Sequence, residues 1–355
     1  MSCFKLPESL CRELGSMISR FWWGQKNEER KIPWIAWDKL CKSKAEGGMG
    51  FRDLKAFNLA LLAKQGWRLM QNQNSLFHQV FKAKYFANDT FLDAQLGKRP
   101  SFAWRSIMAA KDVILEGTRW NIGNGAKVRV WEDKWMPTPS SYKVVSPCMT
   151  LSNGDYVSCL IDQELHAWKA DVVHRTFLPH EAQVILGIAL SSLPTEDRIV
   201  WAVTPNGAFS IRSAYHVAKK LLDNQAEGQC SDNSAMKALW KLIWGLKCPS
   251  KIRNFAWRAC KNILPTKTRL RDRHIPIEVD CDLCEEVETI GHVFWKCNLA
   301  NEVWTTLKIL PPNQSWEPRD FIDILWLFQD HHSHVGIEIA ITTAWGIWNN
   351  RNNIR

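Results

Sequence analysis

The stretch CDLCEEVETIGHVFWKC, residues 281–297, places three cysteines and one histidine in the order Cys281-x2-Cys284-x7-His292-x4-Cys297. Two thiolates separated by two residues bind one ion from a tight turn. His292 and Cys297, four residues apart, can be supplied by one helical turn or a short hairpin. Zinc takes four N/S ligands in a tetrahedron, and a closed set of four leaves no position for water or substrate. The pattern therefore predicts one structural Zn²⁺, not a catalytic one. Bound metal also accounts for how so polar a stretch holds a fold. A redox Cys-x-x-Cys fits less well, because two further ligands are within reach. The bland alternative is a chance cluster of buried thiols.

The rest of the chain sets the context. At 355 residues it is long enough for two or three small domains. Eleven cysteines, scattered and odd in number, do not form a secreted disulfide scaffold. Cys3, Cys11, Cys41, Cys148, Cys159, Cys230, Cys248 and Cys260 are expected to be buried free thiols. No apolar run approaches the roughly 18 residues of a membrane span, and the N-terminus carries no signal pattern. The expected location is intracellular, in nucleus or cytoplasm, with no membrane partner and no small-molecule substrate.

The net charge is +10, and its position matters more than its size. Between Met236 and Ile275 stand eleven Lys and Arg and a single acid, Asp272. A solvated surface helix usually interleaves its bases with acids, and this block does not. Such a footprint predicts a polyanion partner, RNA or DNA. The candidate contacts are Lys251, Arg253, Arg258, Lys261, Lys267, Arg269, Arg271 and Arg273. The knuckle itself carries Glu278, Asp280, Asp282, Glu285, Glu286 and Glu288 against one base, Lys296, and should repel phosphate. It is therefore expected to staple the basic helices rather than read nucleic acid. Trp257 and Phe255 flank the bases and could stack on nucleobases, though core packing is the stronger expectation.

Apolar periodicity predicts helices over 6–24, 53–71, 103–115, 238–245 and 250–263, and others after the knuckle. In the 250–263 helix, Ile252, Phe255, Ala256, Ala259 and Ile263 form the buried stripe, and Lys251, Asn254, Arg258 and Lys261 the opposite face. Hairpins are expected near 120–131 and 198–212, around Gly123-Asn-Gly125 and Asn206-Gly207, and a loop over 221–235. Residues 137–195 carry mixed signals and no recognisable chemistry. The expected fold class is α+β, predominantly α-helical, with small β-hairpins and a Cys-Cys-His-Cys zinc knuckle.

These strings, taken in order, resemble the C-terminal part of plant LINE-type (non-LTR) retrotransposon polyproteins, downstream of the reverse-transcriptase core. The matching stretches are RFWWGQKNEERKIPWIAWDKLCKSKAEGGMGFRDL, FNLALLAKQGWRL, WNIGNGAKVRVWEDKW, VWAVTPNGAFSIRSAY, LWKLIWGLKCPSKIRNFAWRACKNILPTKTRL and the knuckle with Trp304. The resemblance implies a thumb- or connection-like segment over 1–95 and a helix-plus-hairpin linker over 96–195. It implies the reverse-transcriptase zinc-binding module over 196–310, and C-terminal helices over 311–355 leading toward a ribonuclease H domain. It carries over the ligands Cys281, Cys284, His292 and Cys297. It supplies no active site: polymerases of the family hold two Mg²⁺ on adjacent aspartates, and no Asp-Asp pair occurs in this sequence. Isolated acids such as Asp133 and Asp197 are expected to be structural. The expected function is a non-catalytic nucleic-acid-binding fragment. The alternatives are a zinc-stapled scaffold docking on a polymerase or ribonuclease H domain, an enzyme, or a decayed remnant.

Overall fold

Asp53 opens the helix Leu54–Gln71, and its carboxylate shows why the helix starts there. It accepts from the amides of Lys55 and Ala56 at 2.9 and 3.1 Å, satisfying donors that the first turn leaves free. In the computed structural model all residues are described except 1, 26–30, 140, 149–150, 153, 192–194, 225–233, 309–319, 332–333 and 355. The described chain is mostly helical with small antiparallel sheets. It divides into two units, Met1–Gly15 with Arg52–Gln229, and Ser16–Phe51 with Cys230–Arg355.

In the first unit, helix Leu54–Gln71 buries Ala56, Ala60, Leu62, Ala63 and Leu69. Its small residues let helix Ile211–Asn224 approach with Ala214 and Ala218, both fully buried. Polar ties hold the same pair, since the Asp53 amide donates to the Tyr215 hydroxyl at 3.0 Å and Lys219 Nζ lies 3.3 Å from the Asp53 carboxylate. The helix expected over 103–115 forms as two, Phe102–Met108 and Lys111–Gly117, because Ala110 leaves helical backbone (φ −102°, ψ 8°).

The described strands are β1 (Thr118–Asn121), β2 (Ile161–Asp162), β3 (Ala167–Trp168) and β4 (Arg198–Trp201). β1 pairs antiparallel with β4, Thr118 opposite Trp201 and Asn121 opposite Arg198, and β2 pairs with β3. This corrects both expected hairpins. The 120–131 and 198–212 stretches each give one strand to the other. The reason is Asp197, a buried carboxylate that accepts from Gly123 and Gly125 amides at 2.7 and 2.9 Å and from Lys127 at 2.9 Å. Gly125 sits at φ +71°, and an added Cβ would lie 2.5 Å from the Ser158 amide. The turn signal is real, but the loop grips Asp197, the residue just before β4, instead of folding back on itself. Asp133 is spent in the same way on the Arg129 amide at 2.7 Å. After β4 the chain makes a turn closed by Trp201 N to Gly207 O at 2.9 Å, then enters helix Ile211–Asn224. That helix runs into the expected 221–235 loop, of which 225–233 lie outside the described residues.

In the second unit the whole predicted stripe of helix Ser250–Cys260 and its C-terminal turn, Ile252, Phe255, Ala256, Ala259 and Ile263, is buried. Trp257 is buried as well, and its indole donates to the Gly47 carbonyl at 3.0 Å. Gly47 sits at φ +75°, and a Cβ there would lie 2.6 Å from Trp240. The 16–51 segment thus packs on the basic helices through a contact only glycine permits. Phe294 of the knuckle meets Phe255 and Phe321 edge-on at 5.7 and 5.1 Å. Trp304 donates to the Phe294 carbonyl at 2.7 Å.

The described cysteines outside the knuckle are free, but not uniformly buried. Cys41 is buried; Cys3, Cys148 and Cys159 are exposed. Cys3 and Cys148 sit in irregular segments and Cys159 in the short 3₁₀ helix Val157–Leu160, on its outer side. Cys230 lies outside the described residues.

The C-terminal helix His334–Ile354 is pinned by Arg351, whose guanidinium pairs with Glu288 through both carboxylate oxygens, one at 3.1 Å. Glu288 is 1% exposed and Arg351 9%. Removing one member of such a pair leaves a buried charge alone, at a cost of about 3–5 kcal/mol. Arg351→Ala is expected to lower the denaturant midpoint correspondingly. The solvent-facing Arg175–Asp171 pair, at 2.6 Å, should hardly change it when broken.

Candidate metal centre and the basic stretch beside it

Residues 279–288 fold back on themselves. The Cys281 amide donates to the Glu286 carbonyl at 2.7 Å, and the Glu288 amide to Val279 at 2.8 Å. Glu285 adopts a left-handed conformation (φ 62°), which turns the chain straight after Cys284. His292 and Cys297 come from the next piece, a π-helical turn over His292–Lys296 closed by Cys297 N to His292 O at 2.9 Å. The wider turn brings residues five apart onto one side.

The four side chains converge. Their ligand atoms all lie within 4.8 Å of one another. Cys281 Sγ and Cys297 Sγ are 4.0 Å apart, and Cys284 Sγ is 3.2 Å from His292 Nε2. Tetrahedral zinc with Zn–S of about 2.3 Å would set sulfurs about 3.8 Å apart, so the set fits such an ion. Cys281, His292 and Cys297 are buried, while Cys284 is half-buried and closes the outer side. The other ring nitrogen, His292 Nδ1, has the Glu286 carboxylate at 3.3 Å, in ion-pair range without the alignment of a hydrogen bond. A carboxylate there is the usual partner that orients a metal-binding imidazole. Burial, with help from the Cys281 and Cys284 sulfurs, pushes the Cys297 thiol up to about 11. Cations therefore have to displace a firmly held proton there.

The predicted nucleic-acid residues divide into groups. Arg271 is exposed, its carbonyl accepts from the His274 amide at 2.8 Å, and its guanidinium has no ion-pair partner among the described residues. Arg273 is exposed and donates to the Trp34 carbonyl at 3.2 Å. Arg269 is half-buried, with Asn262 Oδ1 at 3.1 Å and Asp272 at 3.6 Å. Lys251 is exposed, with its ammonium 4.5 Å from the Trp345 ring centre, and Arg253 donates to the Trp244 carbonyl at 3.3 Å. Arg258 and Lys261 are half-buried beneath the 16–51 segment; Arg258 lies 6.0 Å from the Trp23 ring and Lys261 4.5 Å from Trp240. Burial lowers the pKa of both.

Lys267 behaves differently. It is buried, and its ammonium donates to the Asp280 carbonyl and the Asp282 carboxylate at 2.6 Å each. Its amide also donates to Glu288 at 2.7 Å. This residue is tied into the knuckle and does not face solvent. Phe255 and Trp257, the two candidate stacking residues, are core, so neither offers a face to a base. Lys39, Lys42 and Lys44 were not among the predicted contacts, although WDKLCKSK carries a visible run of bases with one acid. Lys39 joins the basic stretch only in three dimensions, beside Lys261.

Comparison with known proteins now bears on this site. Residues 209–304, which include all four ligands, match the family described as zinc-binding in reverse transcriptase. An uncharacterized mitochondrial protein of Arabidopsis thaliana is 44% identical over 137 residues, covering 38% of this chain and 89% of that protein. A putative ribonuclease H protein of the same plant is 26% identical over 366 residues, covering 98% of this chain. The chain belongs to the retrotransposon reverse-transcriptase-related proteins. It spans about half, 56%, of the putative ribonuclease H protein. Within this retroelement family the match is to its zinc-binding module, and the Cys-Cys-His-Cys cluster lies inside the matched residues. No helix among the described residues is long and apolar enough to cross a membrane.

Because Lys267 is buried against Asp282, Lys267→Met is expected to act on stability, by about 1.5–3 kcal/mol for a lost charged hydrogen bond. Arg271→Met should leave the melting temperature nearly unchanged. Thermal unfolding of the two variants compares them directly.

Proposed function

We propose that this chain is a non-catalytic, nucleic-acid-binding part of a LINE-type retroelement protein, with one structural zinc ion setting its basic helices in place. The observation that carries this reading is the join between Lys267 and the knuckle. The Lys267 ammonium and amide reach Asp282 and Glu288, and the Thr268 hydroxyl donates to the Glu288 carbonyl at 2.8 Å. The helical turn Lys267–Arg271, which with Arg273 carries the bases, is therefore anchored directly on the ligand-bearing loop. Zinc, when bound, would be held by Cys281, Cys284, His292 and Cys297 and would supply cross-linking rather than chemistry, since a closed set has no open position. The knuckle keeps its own acids, two of them neutralised by Lys267 and Arg351, and the exposed bases beyond it meet phosphates.

Absence of catalysis belongs to the same reading. Asp133 in WEDKW and Asp197 just before β4 accept backbone amides, which supports structural roles for both. Contacts would be mostly sequence-independent, through Lys and Arg to the phosphodiester backbone. A docking role is favoured by one observation. Helix Glu8–Trp22 exposes Met17, Ile18 and Phe21, the last at 83%, a face suited to a neighbouring polymerase or ribonuclease H domain.

Zinc uptake of about one ion per chain is expected by elemental analysis, reduced in His292→Ala and in Cys281→Ser. Zinc must displace the Cys297 proton, which is held up to about pH 11, so apparent affinity should rise with pH below that value and fall on acidification, with proton release in calorimetry. Binding to a labelled single strand should weaken steeply with salt, with a log–log slope of about −0.7 per phosphate contacted, and should be lost on chelation. Binding that is flat with salt would instead favour the docking role.

A further inference from the structure

The second unit contains a hollow of about 300 Å³ between the 34–39 segment and the turn that follows helix Ser250–Cys260. Its walls include Trp34, Lys39, Lys261, Arg269, Asp272 and Arg273. Four cations therefore surround one carboxylate, and that carboxylate lies 3.6 Å from Arg269. A neighbouring hollow of about 500 Å³ shares Arg273 and adds Arg20 and Lys31. We infer that these hollows form the phosphate track of the protein, and that single-stranded nucleic acid is bound in this cleft rather than along the outer face of the basic helices. The inference rests on the nucleic-acid reading above and gives it a location.

The way each cation is held supports this. Lys267, next in the chain, is neutralised by a carboxylate. The cleft cations are held mainly by neutral groups, and the one carboxylate among them, Asp272, stands 3.6 Å from Arg269 alone. Arg273 donates to the Trp34 carbonyl at 3.2 Å and lies 5.9 Å from its ring. Arg269 donates to the Asn262 amide oxygen at 3.1 Å. Lys261 rests over the Trp240 ring at 4.5 Å. Neutral anchors position a cation without cancelling its charge, so the positive potential stays available to a ligand. Concave, low-dielectric walls concentrate that potential. Burial, with Lys39 and Lys42 nearby, lowers the Lys261 pKa, as like charges crowded together do. A bound anion would relieve that crowding.

Size selects the ligand further. A hollow of about 300 Å³ is at the lower end of the roughly 300–1,000 Å³ range of small-ligand clefts. It can admit one nucleotide unit of a flexible strand but not the width of a duplex. Guanidinium groups from Arg269 and Arg273 suit phosphate oxygens through their paired donors. A third of this hollow's lining, Trp34, Ile35 and Lys39, comes from the 16–51 segment, outside the residues that match the zinc-binding family.

The test measures binding of full-length, zinc-loaded protein to fluorescein-labelled dT15 and rU15 by anisotropy, across a salt series. Lys39→Glu and Arg273→Glu line the cleft and are exposed, so neither should disturb folding, which circular dichroism checks. Lys241→Glu is the control: it is exposed and within the basic block but does not line the cleft. The expected result is at least a tenfold loss of affinity for each cleft variant, a salt slope shallower by about one contact, and less than a threefold change for Lys241→Glu. Equal losses for all three variants would mean diffuse charge and overturn the cleft while leaving nucleic-acid binding intact. No binding by the unaltered protein would overturn both.

Discussion

One buried carboxylate, Glu288, is the point where the second unit is tied together. Its side chain accepts from Arg351 of the C-terminal helix and from the Lys267 amide at the start of the last basic turn. Its backbone accepts from the Thr268 hydroxyl and donates to Val279, next to the ligand loop. Three pieces far apart in sequence therefore share a single charge. An ionised carboxylate at 1% exposure is tolerable only when its donors are all in place. That requirement fixes the knuckle, the basic turn and the C-terminal helix in one arrangement. The metal ligands then cross-link the loop, and the cations beyond Lys267 are presented from a rigid base.

Much of this could be read from the residues. Helix periodicity located the basic helix and named its buried stripe, because a 3.6-residue repeat is a local property that packing then fills. The ligand spacing located the metal centre, because thiols and an imidazole at those intervals have few other uses. What could not be read was pairing over long distances. Gly123-Asn-Gly125 announced a turn, and the turn formed, but its amides chose Asp197 from more than seventy residues away over a neighbouring strand. Composition likewise announced the basic block without saying which side chains would be spent. Lys267 and Arg271 differ by four positions and look alike in sequence, yet one is buried on Asp282 and the other stands in solvent.

The role of the N-terminal 16–51 segment has the same origin. In the sequence Gly47, Gly48 and Gly50 mark only turns. That the segment covers Trp240, Trp257 and Lys261 follows only from the contact of Gly47. This segment turns a basic helix face, expected to be open, into one wall of a cleft. Arg258 and Lys261 are correspondingly half-buried, and the exposed bases shift toward Arg269, Arg271 and Arg273.

The second unit is interleaved: Ser16–Phe51 joins Cys230–Arg355 around an intervening run of roughly 180 residues. A ribosome adding about 5–20 residues per second would release the early segment roughly ten to forty seconds before its partner. During that interval Leu40, fully buried in the finished protein, and the aromatic side chains around it have no surface to cover. Closing so long a loop also slows folding, since the entropy is lost before the contacts form. The same interleaving governs how the protein can be divided. A piece cut to residues 209–304 would carry every metal ligand but would leave Trp240 and Trp257 bare on the side that Gly47 normally covers.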